Sequence, residues 1–544
     1  MRINRKYIKI TAPPILVFVF VFILCGLFSC RQTNAGDIIN KSEDNRIVVR
    51  LAAPQNNYIE DFDTNLYKLW LEEKTGLKIE MTWLPLENAE QIASQQLLGG
   101  EGLPDAYVGF ANLEIFQPHN LQEYINRGNI ISLTSLIETY GEHIKELFAG
   151  FPEYNIRENM TSADGHIYFM PGFGSSVIRK YRHMMWVNKN WLDELGLDPP
   201  ETTEEFADML RAFKNAYPDK IPMSGTEQAY SKQPYNFLFN AFIYNDENNS
   251  RLYPEDGKLV FSPVRNEWRN ALLYMRGLYG EGLISPHTFT QDDRQFMQMA
   301  NDPRDILGAF ASPGITLVVQ QNSPEILGRY IGIAPLTGPD GVRFTTVNSS
   351  APRPAGVITS ACRNPVEVFE LFDLMLSEEA SLIGRYGLRG TDWDFADEGD
   401  ISIYGTPATI KLYNQLWNTL QNSHLAQITP YISHPKYSGG VTWDGSVTDG
   451  EYMNARSAML HIGSEPPEYI SRLLYLPGEE EQIQKIRAAA EVHTRESAVA
   501  FITGERDIYD DGEWEDYLAE FDAIGLEEFV RAAQAAYDRA GGGY

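Results

Sequence analysis

The stretch Asp392-Trp393-Asp394 combines residue types that suit recognition of a polyhydroxylated ligand. An indole face packs against sugar C–H surfaces, while carboxylates on either side accept hydrogen bonds from hydroxyl groups. A pair of acids can also cleave a glycosidic bond if their separation in space is right, and sequence alone does not give that separation. A core tryptophan with flanking surface acids is the third interpretation. The three remain open at this stage.

Other catalytic signatures are absent from the sequence. It contains no G-x-S-x-G elbow, H-E-x-x-H helix, phosphate-binding glycine loop or G-x-G-x-x-G fingerprint. The nine histidines are scattered without helical pairing, so no metal site is predicted. Cys362 could act as a nucleophile, but it ends an apolar stretch that leads into a helix, which favours a structural role.

The first residues indicate where the protein works. Four basic residues precede an apolar run from Ile15 to Leu27, and small Ser29 stands directly before Cys30. This pattern predicts a signal peptide over 1–29 and lipidation of Cys30 after cleavage. The run is short for a bilayer span, although an uncleaved anchor is the alternative. Residues 30–46 are polar and aperiodic beyond the cysteine, which predicts a flexible tether.

Composition excludes several partners. The formal charge is −29 and becomes more negative when the basic signal segment is removed, so nucleic acid and anionic headgroups are poor partners. Contact with a membrane is expected only through the lipid. Of three cysteines, Cys25 leaves with the signal peptide and Cys30 is lipidated, which leaves Cys362 without a disulfide partner. No cofactor is predicted.

The elements that would position a site alternate between strand and helix. Patterns and caps predict strands at 47–51, 77–83 and 106–109, and helices at 65–75, 89–98, 189–195, 202–216, 266–279 and 365–383. This alternation predicts an α/β protein built on a largely parallel sheet. The carboxyl ends of such strands, and the loops after them, are where ligands bind.

Several stretches resemble, in order, the family 1 extracellular solute-binding lipoproteins of ABC-type sugar importers. They are Leu97 to Asp105 (LLGGEGLPD), Asp164 to Pro171 (DGHIYFMP), Trp186 to Leu197 (WVNKNWLDELGL), Leu278 to Ile284 (LYGEGLI), Pro335 to Gly341 (PLTGPDG), and Arg385 to Trp393 (RYGLRGTDW). The sequence departs from the pattern of this family in two places. Arg389 stands where the family commonly has Glu, and 217–222 keeps one acidic ligand of a calcium loop found in some relatives, so no calcium is expected there.

The resemblance implies a two-lobed, periplasmic-binding-protein type II fold with ligand enclosed between lobes and no catalysis. It implies lobes of 47–170 plus 336–405 and of 171–335 plus 406–540, with crossings near 170–186 and 331–336. A hinge closure on a mono- or oligosaccharide, a monomeric state and delivery to the permease subunits of an ABC importer are expected.

Ligand-facing residues are expected in loops after strands, beside the hinge and in aromatic clusters next to acids. These expectations fall on Phe110, Asn112, Phe173, Tyr181, Tyr235, Asp392, Trp393 and Trp443. Two alternatives stay open: an exported glycan-cleaving enzyme, and a surface glycan-binding lipoprotein of the starch-utilisation type, whose mainly helical repeats match poorly with the strand–helix alternation. A peptide or other solute is also possible as ligand.

Overall fold

A computed structural model describes residues 46–541 except 112, 117, 163, 321–322, 349–350, 415–419, 447–448 and 477. Cys30 and the predicted signal peptide therefore lie outside the described residues. The strands are β1 Val48–Pro54, β2 Lys78–Leu84, β3 Ala106–Val108, β4 Met170–Gly174, β5 Met184–Asn188, β6 Ile221–Ser224, β7 Leu252–Glu255, β8 Lys258–Phe261, β9 Leu307–Ser312, β10 Tyr330–Ile333, β11 Arg353–Ile358, β12 Trp393–Phe395, β13 Ile410–Leu412 and β14 Tyr431–Ser433.

Helices alternate with these strands, as predicted for an α/β protein. They are α1 Leu66–Thr75, α2 Ala89–Gly99, α3 Pro118–Asn126, α4 Thr134–Tyr140, α5 His143–Gly150, α6 Ile156–Met160, α7 Val177–Lys180, α8 Lys189–Leu195, α9 Thr203–Ala216, α10 Pro234–Leu238, α11 Asn266–Gly280, α12 Asp293–Ala300, α13 Pro324–Leu327, α14 Pro365–Leu374, α15 Glu378–Tyr386, α16 Pro435–Ser438, α17 Gly450–Met459, α18 Glu479–Thr503, α19 Asp511–Ile524 and α20 Leu526–Arg539.

The first lobe is built on a mixed sheet of order β14-β4-β11-β3-β1-β2. Strand β1 pairs in parallel with β2 and β3, while β11 runs antiparallel to β3 and β4. Apolar side chains of β1 and β3, such as Val49, Leu51 and Tyr107, are buried in one continuous core with α1, α2 and α14. Both faces of β3 and of the second half of β1 are buried, which is typical of strands covered by helices on both sides of a sheet.

The second lobe is built on a smaller sheet of order β10-β5-β9-β6. Strand β5 runs antiparallel to β9 and β10, and β6 runs parallel to β9. Its core includes Trp191 and Phe213 from α8 and α9, together with aromatic residues of α18 and α19 such as Phe501 and Trp514. The C-terminal helices α18–α20 therefore complete this lobe.

The described chain passes between the two sheets three times. It leaves the first sheet after Gly174, returns to it at Arg353, and leaves again after Ser433 to form α17, which packs on β10. The lobe boundaries predicted from sequence differ from these pairings, since 171–174 and 431–433 join the first sheet. The strand β14 is too short to be recognised from sequence. Residues 344–346 bond to Asn240, Ser464 and Asn245, so the second crossing comes later than 331–336.

Most predicted helices begin and end where their capping residues indicate. Asn65 and Thr202 accept hydrogen bonds from the first turns of α1 and α9, and Gly76 and Gly196 end α1 and α8 in the left-handed conformation. The predicted helix over 365–383 is wrong in one respect, because the structure divides it into α14 and α15. Ser377 begins α15 by accepting a hydrogen bond from the amide of Ala380.

Arg472 connects the two lobes at a point away from the crossing segments. Arg472 follows Ile470, which lies in the second-lobe core. Its guanidinium donates to the carbonyls of Glu158 and Thr161 at the carboxyl end of α6, at 2.5 Å in the case of Thr161. A cation at this end of a helix satisfies carbonyls that lack intrahelical partners.

We predict that Arg472→Ala lowers the free energy of unfolding by about 1–2 kcal/mol, because two charge-assisted hydrogen bonds between lobes are lost. Urea denaturation followed by tryptophan fluorescence measures the change. Arg304→Ala serves as the control, since the Arg304 side chain is 77% exposed and pairs only locally with Asp302. Equal midpoints for the two variants would show that the Arg472 contact does not couple the lobes.

Candidate functional site

Strand ends of the first sheet converge on one edge, which we call the first cleft edge. Strands β1, β3, β4 and β14 all end there, and β11 begins there, because Arg353 pairs with Gly172 while Gly356 pairs with Val108. Gly109 directly follows β3 with φ 84°, and a Cβ at this position would lie 3.1 Å from the Pro54 ring. A glycine is required for this tight turn.

The second sheet presents a matching edge, which we call the second cleft edge. Strands β6, β9 and β10 end there and β5 begins there, because Met184 pairs with Ser312 and Ser224 pairs with Phe310. The crossing segment 175–183 joins Gly174 directly to Met184. This short segment therefore connects the two edges directly, and strand ends of this kind are where ligands bind in α/β proteins.

Charged groups from both lobes meet at Arg182 in this crossing segment. Its guanidinium interacts electrostatically with Tyr230 from the loop after β6, with Arg353 at the start of β11, and with Glu451 in the first turn of α17. Burial lowers the pKa of Arg182, whose side chain is partly buried. Glu451 is exposed at the surface.

Tyr230 lines the second-lobe wall and is 45% exposed. Its ring packs edge-on against His183 at 5.9 Å, and its hydroxyl accepts a hydrogen bond from Asn248 at 3.3 Å. Asn248 also donates to Asn348 at the second crossing. Burial lowers the pKa of His183 to about 4, so this imidazole is neutral at physiological pH.

Trp443 supplies an accessible aromatic surface near the third crossing. Its indole stacks on Tyr452 of α17 with ring centroids 4.2 Å apart and an interplanar angle of 1°. The indole N–H donates to the carbonyl of Ser446 at 2.7 Å, which fixes the ring plane. Among the residues expected at the ligand that the structure describes, only Trp443 remains partly exposed.

The predicted aromatic residues nearest the first cleft edge are packing residues. Phe110 is buried against Tyr107 and Phe116, and Phe173 is buried between Phe151 and Tyr154. Both side chains turn into the first-lobe core rather than toward the cleft. Asn112 lies outside the described residues.

The two predicted tyrosines are also enclosed. The Tyr181 hydroxyl donates to Glu465, and the ring stacks on His461 at 5.8 Å. Burial, together with Glu465, raises the pKa of Tyr181 to about 12. Tyr235 donates to Glu227 at 2.8 Å and is buried in the second lobe. Both hydroxyls therefore have hydrogen-bond partners within the protein.

The motif Asp392-Trp393-Asp394 serves the fold. Asp392 is buried and accepts from the amide of Leu388 at 2.8 Å, while the Trp393 indole donates to the carbonyl of Gly387 at 2.9 Å. Asp394 pairs with Arg389 at 2.7 Å, which lowers the pKa of Asp394. Asp392 and Trp393 thus close their own loop, and their contact with a carbohydrate stays a prediction.

The sequence analysis did not single out Arg182, Tyr230, Glu451 and Tyr452. Tyr230 stands in the same polar loop as the predicted Tyr235, and Arg182 follows the predicted Tyr181. These segments were selected because they follow strands. The sequence does not show which side chains of an irregular loop turn outward, because such a loop has no periodicity.

The described residues do not support the other kinds of site that the sequence raised. Burial raises the pKa of the Cys362 thiol to about 11, so it is not a thiolate nucleophile. No group of three metal-ligating side chains occurs within the described ranges. In the segment 217–222, the ammonium of Lys220 lies over the rings of Tyr217 and Trp191 at 4.7 and 4.9 Å. No helix in the part of the chain that the structure covers could cross a membrane.

Residues 58–381, more than half of the chain, match the model of a family described as bacterial extracellular solute-binding protein. The fructooligosaccharide ABC transporter substrate-binding protein FusA of Streptococcus pneumoniae is 26% identical over 496 residues, which are 86% of each chain. Lipoprotein LipO of Bacillus subtilis is 24% identical over 395 residues, 66% of this chain and 70% of that protein. The first relative is named as a substrate-binding protein and the second as a lipoprotein.

Solved structures share the two-lobed fold. The structure of FusA in complex with kestose has a TM-score of 0.72 at 22% identity, covering 90% of this chain and 99% of that chain. A solute-binding protein from Bifidobacterium longum infantis, described as HMO binding and ABC-transporter associated, has a TM-score of 0.74 at 19% identity, covering 91% and 99%. The predicted fold class is confirmed.

The loop around Asp392 yields a prediction for two nearby glycines. Gly387 and Gly390 both have positive φ, but a Cβ at Gly387 would lie 2.3 Å from Asp392 Oδ2, whereas nothing lies within 4 Å at Gly390. We expect Gly390→Ala to lower the free energy of unfolding by about 1–2 kcal/mol and Gly387→Ala by about 3–5 kcal/mol. Urea unfolding of both variants measures this, and equal losses would contradict a structural role for Asp392.

Proposed function

Because the chain belongs to the bacterial extracellular solute-binding proteins, we propose that it captures an oligosaccharide between its lobes and delivers it to an ABC importer. The observation that carries the proposal is the cleft itself. Strands of both sheets end at facing edges, and partly exposed aromatic and charged side chains line the loops there: Tyr230, Trp443, Arg182 and Glu451.

These side chains suit a polyhydroxylated ligand. The Trp443 ring is held flat by Tyr452, so its remaining surface is preorganised for stacking on a sugar ring. Arg182 donates hydrogen bonds and Glu451 accepts them, and each hydroxyl of a sugar can do both. The printed name of FusA, a fructooligosaccharide-binding relative, and that of a polygalacturonan/rhamnogalacturonan-binding relative, YtcQ of Bacillus subtilis, support a glycan as ligand.

The capture involves no chemical change to the ligand. Closure of the lobes on the sugar would stabilise one arrangement of the hinge, and the permease subunits would recognise that arrangement. The hydrogen bonds from Arg472 at the carboxyl end of α6 also connect the two lobes. Closure of the lobes must therefore either keep these hydrogen bonds or break them.

The proposal also includes lipidation of Cys30 and a tether formed by residues 31–46. The lipid would hold a monomeric receptor on the outer face of the membrane, and the polar segment would supply reach. Tethering raises the effective concentration of the receptor at the transporter without any new contact. The resemblance to lipoprotein LipO supports the anchor.

Titration of purified residues 31–544 tests the ligand class. We expect saturable quenching or enhancement of tryptophan fluorescence with at least one oligosaccharide among fructans, galactans, xylans and pectic fragments. Chromatography of the mixture after prolonged incubation should recover the same sugar intact. Binding of peptides or amino acids only, or release of shorter sugars, would refute the proposal.

Trp443→Ala should weaken the affinity for the bound oligosaccharide by about ten-fold, because a stacked aromatic contributes roughly 1–1.5 kcal/mol. Isothermal titration calorimetry measures the dissociation constant. The matched control is Trp70→Ala, since Trp70 is also partly exposed and stacked on a tyrosine, Tyr67, but lies on α1. Unchanged affinity in Trp443→Ala would remove this residue from the site.

A further inference from the structure

The first lobe contains a cavity of about 210 Å³ in addition to the cleft, and we call it the first-lobe cavity. One face of α5 and one face of α15 form its sides, and the end of β14 with the first turn of α16 forms the remaining wall. None of the described residues that line it belongs to the sheet or the core of the second lobe. The cavity is therefore complete within one lobe.

The first-lobe cavity begins at the first cleft edge. Its wall includes Ser433, the last residue of β14, and Phe151, whose ring contacts that of Phe173 in the neighbouring β4 at 5.3 Å. From there it extends to His143 and Glu378 in the first turns of α5 and α15. An elongated ligand that lies along the cleft edge can therefore place one end in this cavity.

The walls of the cavity are apolar and partly aromatic. Tyr386 and Tyr437 lie in one buried cluster with Leu382, and Leu147 and Phe151 belong to the first-lobe core. Aromatic and aliphatic surfaces of this kind pack against the C–H faces of a sugar ring. The volume is below the roughly 300–1,000 Å³ of pockets that hold drug-sized molecules, so it suits a ligand of one ring.

His434 supplies a fixed donor at the cleft end of the cavity. Its Nδ1 accepts a hydrogen bond from the amide of Lys436 at 3.1 Å, and its ring packs edge-on against Phe151 and Tyr437 at 5.2 and 6.0 Å. Burial lowers the pKa of His434, and a neutral ring that accepts at Nδ1 carries its proton on Nε2. This Nε2–H has no hydrogen-bond partner among the described residues.

Two carboxylates supply acceptors at the other end. Glu146 Oε2 lies 3.0 Å from His143 Nδ1, and Glu378 accepts a hydrogen bond from the Tyr437 hydroxyl through Oε1. Each carboxylate has a second oxygen that can accept from a ligand. A wholly apolar ligand would remove water from these groups without replacing its hydrogen bonds, and two carboxylates disfavour an anion. A hydroxylated ring suits both the walls and the polar ends.

We infer that the first-lobe cavity binds one terminal sugar unit of the oligosaccharide captured in the cleft. His434 donates to one of its hydroxyls, Glu146 and Glu378 accept from others, and the aromatic walls contact its C–H face. The inference rests on the proposed function and adds a requirement for the length of the ligand. Because one lobe supplies the whole cavity, the terminal unit can bind before the lobes close.

Oligosaccharides of increasing length test this inference. Calorimetry of di- to hexasaccharides of fructan, galactan, xylan and polygalacturonan should reveal a series in which one added unit raises the affinity about ten-fold. Hydrogen exchange read by mass spectrometry should show protection of 143–151 and 432–437 from that length onward. Free glucose, galactose and fructose are tested in parallel.

Two variants connect the gain in affinity to the cavity. Gly150 lines the cavity as the last residue of α5, and a Cβ there meets no atom within 4 Å, so Gly150→Trp should fill the space and abolish the gain. Gly99→Trp is its control, because Gly99 ends α2 with equally open space. His434→Phe should reduce the gain about three- to ten-fold through loss of the N–H donor. His166→Phe is the matched control, since His166 is exposed and packs edge-on against a tyrosine elsewhere.

The outcomes separate this inference from the proposed function. No gain with length, or a gain that persists in both Gly150→Trp and His434→Phe while thermal unfolding shows both to be folded, overturns the terminal subsite and leaves capture of an oligosaccharide standing. Protection of 143–151 by a free monosaccharide alone assigns the cavity to a separate sugar and overturns its place on the captured chain. Binding of no saccharide, with binding of a non-sugar solute, overturns both.

Discussion

The organisation of this protein depends on one topological constraint: every described connection between the two lobes leaves or enters the first sheet at the first cleft edge. Gly174 leads out of the first sheet, Arg353 leads back into it, and Ser433 leads out again. Each lobe buries its own apolar core. The crossing segments bury some side chains, such as Tyr181 and Thr346, and leave others, such as Arg182, only partly buried.

The constraint explains what the sequence could and could not predict. Caps and periodicity are local, and they located α1, α8 and α9 within a residue or two because Asn65, Gly196 and Thr202 act within one helical turn. Strand β14 has three residues and joins the first sheet through pairing with β4, far away in sequence. Nothing local marks such a strand, so the third crossing could be found only in the structure.

The difference between local sequence signals and contacts with distant residues also applies to the candidate site. Aromatic residues after strands were reasonable expectations for ligand contact, but Phe110 and Phe173 fill the space between the sheet and its neighbouring helices. An aromatic ring in a turn can lie in the core or at the surface, and its burial depends on residues that are distant in sequence. Trp443 differs because Tyr452 covers one face of its ring and the side chain remains partly exposed. The sequence identified candidate loops, whereas tertiary packing determines which of their side chains are buried and which are exposed.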